Sequence, residues 1–280
     1  MNGLVAVTLD KGSVRQTLIE SLTNIEGQIA VSTSGGVDSS ALVIACLDLG
    51  YKPVVMSFRL DTKQFVYDFD AAQKLASKFD LSFVPVILPT ERDTILQKVI
   101  EIIRTLKVKN KAAIECLYPM LFVFDKCKQL GIQNLICGHA ADGHYGLSKK
   151  AMIHYRHSKE SFQQFRTEYF RRKNVAQSES LRELAKQTAI TVHLPYLSSA
   201  YFELFSDLSW HDVNTPQQKH LVRRDFPELD DLRLKRHLNL QLGDSGIAET
   251  VGETVRSYVI PSAKSPIKAY NILWDKYAQA

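Results

Sequence analysis

The sequence predicts an α/β fold: a Rossmann-like parallel sheet of about five strands with helices on both faces, followed by a helical C-terminal region. Three observations predict it. Short apolar runs alternate with helix-length periodic segments through the first half of the chain. A glycine pair sits where the first such run meets the first helical segment. Beyond about Leu147 strand patterns fade, and polar helical segments with scattered aromatics take over.

Each element has its own signal. Gln28 to Ser32 reads as a buried strand, and Ser39 to Leu49 as a helix ended by Gly50. Pro53 to Phe58 is a second strand, Phe69 to Phe79 a helix, and Leu81 to Leu88 a third strand. Helical periodicity returns over Glu91 to Leu106 and over Ile114 to Leu130, where Gly131 stops it. Asn134 to Gly138 is another short buried strand. In the second half Arg182 to Gln187, Ala200 to Asp207 and Ala248 to Tyr258 read as helices. The expected division is therefore a nucleotide-binding α/β core over 1–147 and a helical region over 148–280 that completes the site, both in one compact unit.

A chain of 280 residues, 45% of them apolar and 23% charged, can bury a core without disulfides or a structural metal. No apolar run approaches the ~20 residues that span a bilayer, and the N-terminus has no secretory pattern, so no membrane partner and a cytoplasmic location are expected. The four cysteines, Cys46, Cys116, Cys127 and Cys137, form no Cys-x-x-Cys pair. Buried reduced thiols are expected rather than a zinc site or a redox motif. A net charge of +5 suits an anionic small molecule but is too weak to imply nucleic acid by itself.

The chemistry concentrates in Ser32 to Ser40, Ser-Thr-Ser-Gly-Gly-Val-Asp-Ser-Ser, between a strand and a helix. Gly35 and Gly36 let the backbone turn tightly toward an anion. The first-turn N–H groups and the helix dipole favour phosphate there, and Ser34, Ser39 and Ser40 add hydroxyls. Asp38 suits such a place only when it holds Mg²⁺. The plainer reading is a Gly-Gly turn that caps a helix. No Gly-Lys-Ser/Thr follows, which excludes a Walker loop.

This segment resembles the pyrophosphate loop of the ATP pyrophosphatase superfamily, which includes asparagine, GMP and NAD synthetases and tRNA-modifying enzymes. The resemblance implies ATP as cofactor, split to AMP and pyrophosphate while a substrate is adenylated. It assigns nucleotide contact to Ser32, Ser34, Gly35, Gly36, Val37, Asp38, Ser39, Ser40, Met56 and Gly138. Gly138-His139-Ala140-Ala141-Asp142-Gly143-His144-Tyr145-Gly146 is similar to the Gly-Glu-Gly-Ala-Asp-Glu-Leu-Phe-Gly segment of asparagine synthetase C-terminal domains. By that likeness Asp142 shares Mg²⁺ with Asp38. His193 to Leu197 is similar to that family's Arg-Val-Pro-Phe-Leu, Lys219 to Arg223 to its Lys-x-x-Leu-Arg, and Lys235 to Ile247 to its Gly-Ser-Gly-Ile ending. The chain thus looks like an asparagine synthetase-like synthetase domain without its glutaminase: an AMP-forming amide ligase.

Departures from the pattern are as informative. Asn2 stands where a glutaminase nucleophile would follow the initiator Met, so ammonia, another amine or a separate amidotransferase subunit is expected to supply nitrogen. His139 and Gly143 replace the two Glu of the acidic segment; Thr191 and Ser198 replace further carboxylates. Aspartate is therefore not the expected acyl substrate, and His139 is a candidate general base or a strand-end cap. His144 is expected to be structural or peripheral. For the cation near the α-phosphate, Lys235 is assigned, with Lys219 and Arg223 as alternatives at helical spacing; the plainer reading of the Lys235 run is a solvated basic stretch.

One stretch stands apart. Lys149, Lys150, Arg156, Lys159, Arg166 and Arg171 to Lys173 interleave with Tyr155, Phe162, Phe165, Tyr169 and Phe170. Either nucleic acid binds this 149–173 region or the aromatics of an amphipathic helix face the core. A nucleobase-, tRNA- or DNA-modifying enzyme and a non-catalytic ATP-binding relative are the alternative functions.

Overall fold

The computed structural model describes residues 12–62, 64, 66–147, 149–232, 245–259 and 265–279, without the side chains at 149, 150 and 154. The first half runs α1 (Val14–Ser21), β1 (Ile29–Ser32), α2 (Val37–Asp48), β2 (Val54–Leu60), α3 (Tyr67–Lys78), β3 (Phe83–Leu88), α4 (Arg92–Leu106), α5 (Lys111–Gln129), β4 (Asn134–Cys137) and α6 (Ala141–Tyr145). The second half adds α7 (Lys149–Tyr155), α8 (Lys159–Phe170), α9 (Ser178–Thr188), β5 (Thr191–His193), α10 (Ser199–Ser206), α11 (Trp210–Asn214), α12 (His220–Asp225), α13 (Ile247–Val259) and α14 (Pro266–Tyr277).

The five strands are all parallel, in the order β3-β2-β1-β4-β5. The fading of strand patterns after Leu147 is corrected here: β5 comes from that stretch and pairs with β4 through Leu135 opposite Val192. It is only three residues long, too short to show a period. The two halves of the chain thus share one sheet.

Successive side chains of β1 enter different cores, as strand geometry requires. Ala30 joins the layer formed by α4, α5, α9, α13 and α14. Ile29 and Val31 join the opposite layer, with α1, α2, α3, α10 and α12. Buried Glu115 fastens α14 to α5, accepting from Lys111 Nζ at 2.7 Å and from the Tyr270 hydroxyl at 3.2 Å. All four cysteines are free, and burial pushes the thiols of Cys46, Cys116 and Cys127 up to about 12. Among the described residues no helix is long and apolar enough to cross a membrane.

The connection from β1 runs to one side of the sheet and that from β4 to the other. These two strands are neighbours at the point where the strand order reverses, and their C-terminal ends open a crevice. The glycine turn follows β1 and the Asp142 segment follows β4, so topology alone brings the two motifs together.

Candidate active site

The turn after β1 is built to expose backbone and little else. Gly35 has φ +67, and a Cβ there would meet Asp68 O at 2.5 Å and Ala71 Cβ at 2.7 Å. Only glycine satisfies both the left-handed backbone and the close approach of α3. Gly36 caps α2 with no side chain accepting from its first turn. The helix dipole and the N–H groups of this turn favour an anion there.

The loop hydroxyls mostly serve the loop itself. Ser39 Oγ accepts from Ser34 N at 3.2 Å, lies 3.3 Å from Ser34 Oγ and donates to Gly36 O at 3.3 Å. Ser40 and Val37 are buried beneath the turn, and Ser34 is the exposed hydroxyl. Ser32 ends β1 opposite Met56 and Cys137. The Met56 side chain is buried with its sulfur 3.6 Å from Cys127, and its carbonyl accepts from Thr33 N at 2.7 Å. Met56 therefore meets the loop through its backbone. Gly138 faces the turn across the crevice, where a Cβ would stand 3.7 Å from Ser39 N.

Asp38 and Asp142 converge on one cation. Lys219 Nζ donates to Asp142 Oδ1 at 3.0 Å and bonds Asp38 Oδ2 as well. Lys219 is buried, at 4% exposure. Burial pulls its pKa down, yet the two carboxylates outweigh that and hold it raised. Its ammonium also lies 5.1 Å from the centre of the Tyr145 ring. Asp38 is fixed in turn by Tyr196, whose hydroxyl donates to Asp38 O at 2.9 Å.

Two carboxylates around a shared positive charge are hard oxygen donors of the kind Mg²⁺ takes, together with substrate phosphates. Among the described residues no group of three or more His, Cys, Asp or Glu is arranged for a metal. Asp38 and Asp142 could hold such an ion from opposite sides of the crevice.

The remaining candidates separate. His139, between β4 and α6, is half-buried, and burial pushes its imidazole down to about 4, so it is neutral near pH 7. Lys235 lies outside the described residues; of its alternatives, Lys219 reaches the carboxylates, and Arg223 turns toward Asp230 at 3.8 Å. His144 is fully buried, with Nε2 2.8 Å from Tyr196 O. Ser198 caps α10, accepting from Tyr201 N at 3.2 Å, and Thr191 begins β5.

At Gly143 packing leaves no room for a side chain. A Cβ there would stand 2.3 Å from Tyr169 Cε1 and 2.6 Å from Tyr169 Cδ1. At Gly146 a Cβ would meet Phe162 Cε2 at 2.5 Å. The two glycines are notches on α6 and its end into which rings of α8 fit. Other rings of the 149–173 stretch pack on one another, Tyr155 stacking on Phe165 at 4.6 Å. Arg166 is buried and caps α10 by donating to Ser206 O and Leu208 O, at 3.2 and 2.6 Å. Arg156, Lys159, Arg171, Arg172 and Lys173 are exposed.

A parallel doubly wound sheet, a glycine turn on a helix N-terminus and a carboxylate pair across the switch point define a pyrophosphate-loop protein. The model of the asparagine synthase family matches residues 14–241, and the chain belongs to that ATP-using family. Solved structures that match include a predicted subunit of tRNA methyltransferase from Methanocaldococcus jannaschii, at 14% identity and TM-score 0.36, covering 76% of this chain and 95% of that one. NMN synthetase from Francisella tularensis is another, at 14% identity and TM-score 0.35, covering 81% and 97%. No curated protein matches the sequence.

Proposed function

We infer that this protein is an AMP- and pyrophosphate-forming amide ligase. A carboxylate oxygen of the acyl substrate attacks the α-phosphorus of ATP, and the bond from that phosphorus to its bridging oxygen breaks, releasing pyrophosphate. An amine nitrogen then attacks the acyl carbon, AMP departs with the carbon–oxygen electron pair, and the nitrogen loses a proton. The convergence of Asp38, Asp142 and Lys219 beside the glycine-capped N-terminus of α2 carries this reading.

Each residue has a part that its surroundings support. The α2 amides and Ser34 bind phosphate oxygens. Lys219 places positive charge beside the reacting phosphate, where charge builds in the transition state. His139, which follows β4 just ahead of Asp142, is the candidate that accepts the proton from the amine, as a weak base, because burial pushes its imidazole down to about 4. Asp38 and Asp142 would hold Mg²⁺, which would supply charge neutralisation for pyrophosphate. Ammonia enters free or from a separate amidotransferase subunit.

A pyrophosphate-release assay with ATP, Mg²⁺ and a panel of carboxylic acids and amines tests the reading. Acid-dependent pyrophosphate with AMP, abolished in both Asp38→Ala and Asp142→Ala, is the expected result. Loss in Asp38→Ala alone would refute the paired carboxylates. ATP binding with no turnover on any acid would favour a non-catalytic relative.

The exposed cations Arg171, Arg172 and Lys173, next to Tyr169 and hence near Asp142, favour one second reading: an acyl or amine substrate carried on nucleic acid. Its mark is pyrophosphate release stimulated by DNA or RNA and suppressed steeply by salt.

A further inference from the structure

Lys219 is held at both ends. Its ammonium meets Asp38 and Asp142, but its backbone sits at φ 59, a left-handed conformation that residues with a Cβ adopt at a cost. The group that holds it there is Asn214, 5% exposed at the end of α11. Asn214 Oδ1 accepts from Lys219 N at 3.2 Å. Its Nδ2 donates to Tyr145 O at 2.9 Å and to Trp210 O at 3.1 Å. Two carbonyls and one N–H around the amide fix which end is oxygen and which is nitrogen.

Tyr145 ends α6, the helix that carries Asp142, and its ring lies under the Lys219 ammonium. The contacts therefore close a ring from Asp142 along α6 to Tyr145, across to Asn214, back to Lys219 and on to Asp142. We propose that Asn214 is the positioning residue of this site, tying the Lys219 backbone to the helix that bears Asp142 so that the ammonium is held between the carboxylates. An amide is required there. A carboxylate would face two carbonyl oxygens without a proton, and an apolar side chain would take this partner from the buried Lys219 N–H and Tyr145 carbonyl.

The proposal rests on the site being one for pyrophosphate and Mg²⁺, and the test separates the two ideas. Calorimetric titration of Mg²⁺ with inorganic pyrophosphate into the full chain gives Kd for the wild type, Lys219→Ala, Asn214→Ala and the double variant. Each single substitution is expected to weaken binding about tenfold, and the double no more than Lys219→Ala alone, because Asn214 acts through Lys219. Additive losses, or an unchanged Kd in Asn214→Ala, overturn the proposal while leaving the phosphate site intact. A wild type that binds no pyrophosphate overturns the site and the proposal together. Should Asn214→Ala fail to fold, Asn214→Ser, which breaks most of the clamp but keeps one hydroxyl, carries the same cycle.

Discussion

Asp38 and Asp142, on different helices at the ends of adjacent strands, share the single ammonium of Lys219. Removing that ammonium has two separable consequences. Pyrophosphate formation by Lys219→Ala should fall about 10²- to 10³-fold, the usual loss when one preorganised charge is withdrawn from a transition state. In the absence of pyrophosphate the two carboxylates, no longer neutralised by the ammonium, should also bind free Mg²⁺ more tightly, the opposite sign to the loss expected for magnesium pyrophosphate. Mg²⁺ should therefore raise the melting temperature of Lys219→Ala more than that of the wild type. Equal Mg²⁺ responses in thermal unfolding would mean that the carboxylates do not share a cation site.

The phosphate turn separates its two glycines by what each must avoid. Gly35→Ala puts a Cβ 2.5 Å from Asp68 O in a backbone conformation that disfavours any Cβ, with backbone on both sides unable to yield. A loss of about 2–4 kcal/mol is expected from strain and overpacking together. At Gly36 the nearest atom to a Cβ is Ser34 Oγ at 3.3 Å, a small side chain that can rotate away. Gly36→Ala should cost less than about 1 kcal/mol. Urea unfolding of the two variants measures the contrast, and equal losses would contradict the account of α3 closing on Gly35.

The sequence made some of this site legible and hid the rest for physical reasons. Gly35, Gly36 and Asp38 are contiguous, and a strand before them with a helix after them gives the motif its meaning. Asp142 is legible through the likeness of the Gly138 to Gly146 segment to the asparagine synthetase pattern; that its strand neighbours β1 emerges only in the fold. Lys219 is harder to read: a lysine in a polar stretch carries no periodic signal, and its left-handed backbone is marked by no glycine. Asn214 and Tyr145 are invisible as functional residues, since an Asn before Thr-Pro reads as a turn and a Tyr among apolar residues reads as core. The fold shows the same division. Long periodic helices such as α4 are plain in the sequence, whereas the three residues of β5 acquire strand character only by pairing with β4.

Gly143 offers a test with an unusual sign. Gly-to-Ala inside a helix ordinarily gains up to about 1 kcal/mol by stiffening the unfolded chain. At 143 the added methyl meets the Tyr169 ring, so Gly143→Ala should instead lose about 1–3 kcal/mol. In the Tyr169→Ala background the same change should be neutral or stabilising. A thermodynamic cycle over the four proteins should give a coupling above about 1 kcal/mol. An additive cycle would show that α8 does not press on α6 at this point.

His144 makes stability fall with acid in a definite window. Burial pushes its imidazole down to about 3; the Tyr196 carbonyl that accepts from Nε2 opposes the shift, and nearby Arg166 adds to it. The folded pKa lies below the unfolded value of 6.5. As pH drops, the unfolded chain therefore binds a proton before the folded one does, and unfolding is favoured. The contribution is complete above about pH 6.5 and is lost progressively toward pH 3, reaching roughly 3 kcal/mol by pH 4 at about 1.4 kcal/mol per unit. His139, pushed down to about 4, adds to the upper part of the same window. Carboxylates paired in the folded state also weaken in acid, but they do so equally in a protein without the imidazole. His144→Leu should therefore lose the hydrogen bond to Tyr196, costing about 1 kcal/mol at pH 7, yet show a shallower decline between pH 6.5 and 4. Urea midpoints at four pH values in that interval measure both slopes. Parallel slopes for variant and wild type would mean that His144 is protonated in the folded protein, which its surroundings of Phe170, Tyr201 and Phe205 rings argue against.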